Sequence, residues 1–375
     1  MDCQPKRKRG NLPPVRPTPK FVAHKTASDT SVSRDSSDGL PIGNIEVGGR
    51  SNGFLYFHSP CFDGIVSAVL ASDFLETQRR WRIERFCAVD YGVKATWLSR
   101  QLHEPCCVVD FIYHPQATFW ADHHSTTFLT PEARADFELR DSSNTVLYDQ
   151  RFGSCAKLLW DRLAGSFGYR NPRYAELVEW ADRIDGARYA TVDEAILGDA
   201  PALRIRASLG FRREPDYFEH LVKEMRSKTL EEVADSSHVI EGSRKVQARI
   251  RAGLKRFKVS AWLEDDGIAV FDVNGAGTAI SRYAPYYIYP AARYSIGIVR
   301  SEFGAKITAM RNPWREFHSV PLGTIIARFG GGGHERVAGL LLPPERAREA
   351  RSILNELISA IRAADTTGEP VGRTA

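Results

Sequence analysis

No stretch of the 375-residue chain approaches the roughly 18 consecutive apolar residues of a membrane-spanning helix, which excludes that class of protein. The six cysteines, at 3, 61, 87, 106, 107 and 155, include no CxxC pair. That scatter excludes a disulfide framework or a zinc ribbon and suits a reducing cytoplasm. No internal repeat is present, so a solenoid or propeller is excluded. A secretory signal is not expected either, because the N-terminus is charged and proline-rich. Bulk positive charge is missing as well. The net charge is +5, but Lys6, Arg7, Lys8, Arg9, Arg16, Lys20 and Lys25 stand against Asp2 alone in residues 1–26, a surplus of +6. The remainder carries about −1, so a nucleic-acid function cannot be argued from overall charge.

What is present divides the chain into five parts. Residues 1–48, rich in Pro, Ser, Lys and Arg, are expected to be a disordered basic tail. Its "PKRKR" (5–9) reads as a solvated segment, with nuclear import or contact with a polyanion as alternatives. From about 49 to 215 strands alternate with helices. "GFLYF" (53–57), "RIERFCAV" (82–89) and "PCCVVDFIY" (105–113) read as strands. "GIVSAVLASDFLETQ" (64–78) reads as an amphipathic helix, and "SCAKLLWDRLAG" (154–165) as a helix capped by Ser154 and ended by Gly165. "RYAELVEWADRID" (173–185) is another helix. This alternation predicts an α/β domain on a parallel sheet. Residues 216–255 are charged with a helical period and read as a connector. Residues 256–365 contain two hairpins, with tips at "EDDG" and "SEFG", then "FGGGGHERVAG" (329–339) and a closing helix. They predict a second, smaller α/β domain, and 366–375 a disordered tail.

Four clusters of ionisable residues fall at the ends of these elements: His58 with Asp63, Asp110, the Asp122-His123-His124 run, and Asp182 with Asp185. In an open parallel sheet, ligands bind beyond the carboxyl ends of the strands, where the first three converge. Carboxylates mixed with imidazoles suit Mn²⁺ or a related divalent ion, and a carboxylate shared by two such ions makes a clamp for phosphoryl hydrolysis. Asp110 has an alternative as a cap on the next segment, and one of Asp182 and Asp185 is expected to be merely solvated.

In order, "HSPCFDGIVSA" (58–68), "VVDF" (108–111), "DHH" (122–124) and "GGGGHERVAG" (330–339) resemble the motifs of the DHH phosphoesterase superfamily and its DHH-associated C-terminal domain. The resemblance spans about 52–365. It implies that His58, Asp63, Asp110, His123 and Asp182 are metal ligands, with Asp110 bridging. It further implies that His124 contacts the scissile phosphate while Asp122 orients the neighbouring histidine. Gly331, Gly332, Gly333 and His334 would receive substrate, and Arg311, ending a strand, would face the cleft. The usual first motif places an aspartate two residues before Asp63, and Cys61 stands there instead. A thiolate ligand at that point would tilt one metal site towards Zn²⁺; otherwise the thiol only packs.

The expected activity is a divalent-metal-dependent phosphoesterase. It would use one or two Mn²⁺ ions per chain, or Mg²⁺, Co²⁺ or Zn²⁺, and cleave a phosphodiester or phosphomonoester of a nucleotide or short oligonucleotide with metal-activated water. Two alternatives stand beside it. One is an exonuclease on longer single strands, for which "RIRASLGFRRE" (204–214) offers four arginines and a phenylalanine. The other is a non-catalytic nucleotide-binding regulator whose metal site is impaired by Cys61.

Overall fold

The computed structural model describes residues 50–275 and 280–365. The tails expected at 1–48 and 366–375 lie outside the described residues. The first domain opens with β1 (Ser51–His58), α1 (Phe62–Gln78), β2 (Trp81–Val89), β3 (Cys106–Val109) and β4 (Phe119–Asp122). It continues with α2 (Pro131–Arg140), β5 (Val146–Tyr148), α3 (Cys155–Phe167) and α4 (Ala175–Asp185). The five strands form one parallel sheet in the order β2-β1-β3-β4-β5. The chain steps to one side of β1 for β2 and returns to the other side for β3. That reversal leaves a crevice beyond the carboxyl ends of β1 and β3, the place where open α/β sheets bind ligands.

Several local expectations shift. Helix α1 is not amphipathic but buried on nearly every side from Phe62 to Leu75, because the sheet covers one face and other helices pack on the rest. Strand β3 stops at Val109, four residues short of the apolar run. Asp110 takes φ +55, which turns the chain out of the sheet, and Phe111, Ile112 and Tyr113 are buried as loop residues. Ser154 does cap α3, its Oγ accepting the Lys157 N–H at 3.1 Å. The helix runs past Gly165 to Phe167 and ends at Gly168, whose φ of +62 suits glycine. Strands β4 and β5, four and three residues long, are too short to show a period and were not expected.

The connector is also shorter than 216–255. After α5 (Val192–Leu197) and α6 (Pro201–Leu209), helices α7 (Pro215–Met225) and α8 (Leu230–Ala234) bury Phe218, Leu221, Val222 and Val233 in the same core as α1. α9 (Ser237–Lys258) passes from one core to the other. Its Val239 lies in the first, and its Leu254 and Phe257 lie against the second sheet.

The second domain contains β6 (Ala261–Leu263), β7 (Ile268–Asn274), α10 (Ala284–Ile288), β8 (Tyr294–Ser301), β9 (Gly304–Arg311), α11 (Leu322–Ala327), β10 (Gly332–Gly333), β11 (Val337–Leu342) and α12 (Ala350–Asp365). Its sheet has the order β10-β11-β9-β8-β7-β6, antiparallel except for β7 and β8. Both predicted hairpins are present, β6–β7 and β8–β9. On β9, Ala305, Ile307 and Ala309 face α11 and α12, and Lys306, Thr308 and Met310 face the other way. Among the described residues no helix is long and apolar enough to cross a membrane.

Candidate metal centre

β1 delivers His58 to the crevice, β3 is followed at once by Asp110, and β4 ends in Asp122 with His123 and His124 just beyond. The turn after β1 brings α1 back so tightly that a Cβ on Gly64 would lie 2.1 Å from the His58 carbonyl oxygen. Glycine is therefore needed directly after Asp63. The left-handed backbone of Asp110, uncommon for a non-glycine residue, aims its carboxylate across the crevice mouth.

Asp110 is central. Its Oδ2 lies 3.3 Å from His58 Nδ1, and its Oδ1 lies 3.7 Å from both His123 Nε2 and His124 Nδ1. His123 is oriented by the Phe152 carbonyl, which accepts from Nδ1 at 3.1 Å and leaves Nε2 turned inward as a lone-pair donor. That Nε2 stands 3.8 Å from Asp63 Oδ2 and 3.3 Å from Asp185 Oδ2. Asp63 is also a structural group. Its two oxygens accept the Cys155 and Ala156 N–H groups at 2.7 and 2.9 Å, so it holds the amino end of α3 against α1 while keeping lone pairs for a cation. Asp122 divides its oxygens. Oδ1 accepts from the His123 N–H at 2.8 Å and pairs with His124 Nδ1 at 2.8 Å, so the histidine whose ring it orients is His124. The Sγ of Cys61 stands within 4.8 Å of ligand atoms of His58 and Asp110.

The buried atoms without a hydrogen-bond partner test whether a cation fits here. Asp110 Oδ1, Asp122 Oδ2 and His123 Nε2 are all in that state, and all belong to one cluster. An unsatisfied buried polar atom costs about 1–3 kcal/mol, so Asp110 Oδ1 and His123 Nε2, 3.7 Å apart, with Asp122 Oδ2 of the same residue cluster, call for a partner such as a cation. The electrostatics agree. Burial and the adjacent Asp185 push Asp63 up to about 6, and burial with the facing Asp63 raises Asp110 well above the carboxylate range. Burial, helped by His124, lowers His58 to about 4. Burial opposes the charge on His124, but the bond to Asp122 together with the charges of Asp122, Asp185 and Asp63 outweighs it and the pKa ends raised. A divalent cation would relieve the crowding that makes these carboxylates resist ionisation, and a histidine held neutral is the form that ligates one. Oxygen and imidazole donors suit Mn²⁺, Mg²⁺ or Zn²⁺.

Two expected positions move. Asp182 is not in the cluster: it forms an ion pair with Arg188 and accepts a hydrogen bond from Ser154 Oγ at 3.3 Å. One helical turn on, Asp185 takes the place beside His123. Axial position decides this, since residues three apart on α4 share a face and Asp185, about 4.5 Å farther along the helix, is the one beside His123. Arg311 does not face the cleft. On β9 it shares the α11/α12 face with Ile307 and Ala309, its guanidinium lies 4.6 Å over the Phe317 ring, and it lines a separate recess with Glu335 and Arg336. Gly332 and Gly333 line a cavity of about 500 Å³ on the opposite face, with Lys306 and Thr308. Gly333 has φ +148 and no room for a Cβ, which would lie 2.4 Å from the Val337 carbonyl oxygen. A Cβ on Gly331 would lie 2.6 Å from the Gly339 carbonyl oxygen. His334 is exposed, and its N–H is bonded to the Val337 carbonyl.

A second cavity of about 480 Å³ opens beside the cluster, lined by Cys61 and Asp185 and by Arg206, Arg213 and Arg282. Arg282 also borders the cavity of Gly332 and Gly333. The sequence flagged arginines in 204–214 only as a group. Arg204 and Arg212 are paired with Asp235 and Glu241, and nothing in the local pattern separates them from Arg206 and Arg213.

No protein-family model matches the sequence, and no curated protein matches it significantly. Solved structures do match the fold. The pGpG-specific phosphodiesterase PggH from Vibrio cholerae superposes with a TM-score of 0.61 at 16% identity, covering 83% of this chain and 99% of that one. RecJ from Thermus thermophilus, in complex with Mn²⁺, superposes with a TM-score of 0.51 at 14% identity, covering 86% of this chain. The match spans about half of RecJ, 53% of its chain. With the parallel sheet, the crevice and the glycine-rich second domain in place, the chain shares the fold of these two structures.

Proposed function

We propose that this protein is a divalent-metal-dependent phosphoesterase acting on a nucleotide or short oligonucleotide. The observation that carries this reading is the clustering of Asp110, Asp122, His123 and His124 at the switch point of the sheet, with Asp110 Oδ1 and His123 Nε2 buried, unpartnered and 3.7 Å apart. His58, Asp110 and Cys61 would hold one ion, and Asp63, Asp110, His123, Asp185 and Asp122 a second. When bound, such ions supply water of lowered pKa and neutralise the charge developing on phosphorus. Mn²⁺ is the first choice. In a reducing cytoplasm the free thiol of Cys61 remains available as a soft donor, which favours Zn²⁺ at its end of the site.

The residues of the chain have distinct tasks. Asp110 stands between the two ligand groups and is suited to bridge them. Asp122 keeps His124 in one orientation, and the part-exposed imidazole can donate from Nε2 to a phosphate oxygen. Gly331, Gly332, Gly333 and His334 offer close backbone approach to the substrate on the other side of the cleft. The likeness to a pGpG phosphodiesterase supports a dinucleotide-sized substrate, and the likeness to RecJ supports the metal chemistry. A long-strand exonuclease gains less support, because Arg204 and Arg212 are neutralised by Asp235 and Glu241.

The test is a substrate panel with the purified full chain and Mn²⁺: bis-p-nitrophenyl phosphate, dinucleotides and a length series of oligonucleotides. Metal-dependent hydrolysis that is fastest on the shortest diesters is expected. A protein that binds dinucleotide yet retains no metal and hydrolyses none of the panel would be the regulatory alternative.

A further inference from the structure

Outside the crevice, one further cluster of metal-ligating side chains stands among the described residues: His220, Glu224 and His238. His220 and Glu224 are one helical turn apart on α7, so they share a face. His238 lies in the first turn of α9, beyond α8. Both imidazoles turn Nε2 towards the same atom, Glu224 Oε2, at 3.4 and 3.1 Å. The two ring centroids are 5.1 Å apart, and the Tyr217 ring stands edge-on to His238 at 5.6 Å. Glu224 is buried in the last turn of α7, where the helix dipole disfavours a negative charge. Lys228 answers part of that charge by donating to Oε1, which leaves Oε2 to the histidines. His238 Nε2 also lies 3.0 Å from Ser236 Oγ, and His220 is half-exposed, so the cluster opens to solvent on its side.

We propose that His220, Glu224 and His238 form a separate divalent-cation site, of the zinc class, that ties the amino end of α9 to α7. Zinc bonds of about 2.0–2.1 Å at tetrahedral angles hold neighbouring ligand atoms about 3.3 Å apart. The separations of both Nε2 atoms from Oε2 already match that spacing. The hydrogen bonds from the two Nε2 atoms give way to the ion, and the open side of the cluster leaves a fourth position for water. Two imidazoles and one carboxylate suit Zn²⁺ better than Mn²⁺ or Mg²⁺, so this site differs in preference from the carboxylate-rich crevice. Its place in the fold gives it a task. α7 buries Phe218, Leu221 and Val222 in the first core, and α9 runs on to the second, so the ion anchors the root of the helix that joins them. The site shares no residue with the crevice and stands apart from the phosphoesterase reading.

The experiment measures Zn²⁺ bound by the full chain in equilibrium dialysis, together with thermal unfolding with and without Zn²⁺. It uses the wild type and Asp110→Ala/His123→Ala, which weakens the crevice. The crevice variant should still hold about one zinc per chain, and zinc should raise its Tm. Adding His220→Ala or His238→Ala should abolish that rise and weaken zinc by more than the ~10- to 100-fold that loss of a supporting contact causes. His220→Ala should likewise remove about one zinc per chain from the wild type. Because His220 is half-exposed, this variant separates lost zinc from lost fold. Lys228→Met frees Oε1 and should tighten zinc binding, whereas a network of hydrogen bonds alone would merely lose an ion pair. Zinc binding unchanged by His220→Ala and His238→Ala, or weakened by Lys228→Met, overturns the site.

Discussion

The two halves of the cleft are built on different principles. On the parallel sheet, buried side chains are fixed by backbone groups: Asp63 by the Cys155 and Ala156 N–H groups, His123 by the Phe152 carbonyl, and Asp122 by the His123 N–H. On the mixed sheet, the glycine strand is exposed and offers mainly backbone. The first half is rigid and polarised before any ligand arrives, which is what charge stabilisation during hydrolysis needs. The second half contributes shape and close approach, which suits recognition. Substitutions in the first half should therefore act on turnover, and those in the second on substrate affinity.

The largest expected effect comes from Asp110→Ala or His123→Ala. Either should lower Mn²⁺-dependent kcat on bis-p-nitrophenyl phosphate by at least ~10³-fold, since each removes a group shared across the cluster. Turnover within tenfold of wild type in both would break the contrast between the halves. Next comes the pair Asp185→Asn and Asp182→Asn. The first should reduce kcat about 10- to 100-fold and weaken retained metal, and the second, which only loses the Arg188 pair, should change kcat less than about threefold. The reverse ranking, measured by metal analysis and kinetics together, would return Asp182 to the ligand set.

Gly333→Ala tests the recognition half. Its φ of +148 and the nearby Val337 carbonyl leave no space for a methyl group, so the strand must shift. We expect KM to rise about tenfold with kcat nearly unchanged, together with about 1–3 kcal/mol of lost stability in urea unfolding. Cys61→Asp should raise manganese occupancy at the His58 end, read by metal content, with at most a several-fold change in rate. A lower occupancy would show that the thiol is itself a native ligand. The smallest effect is predicted for Arg311→Gln. With its guanidinium over Phe317, away from the cleft, kcat/KM on dinucleotides should stay within about twofold.

The clustering was legible because His58, Asp63, Asp110 and His123 follow strand ends in short motifs, while the resemblance implied their role as ligands, and the glycine run announced a backbone surface. What could not be read were choices between equivalent residues. Asp182 and Asp185 lie on the same face of one helix, and only how far that helix reaches into the crevice selects one. Arg311 and Lys306 lie on one strand, and the two faces of that strand lead to different recesses. Of four arginines in 204–214, two meet acids on distant helices and two do not.

The sequence by itself therefore determined the parallel α/β layer, the order of the motifs and the residue types available for the proposed chemistry, because hydrophobic period and residue type are local properties. The tertiary structure alone decided which carboxylate joins His123, which histidine Asp122 orients, and where uncompensated positive charge faces the cleft. Each of these depends on the placement of an element against residues far away in the chain, and no local pattern encodes that.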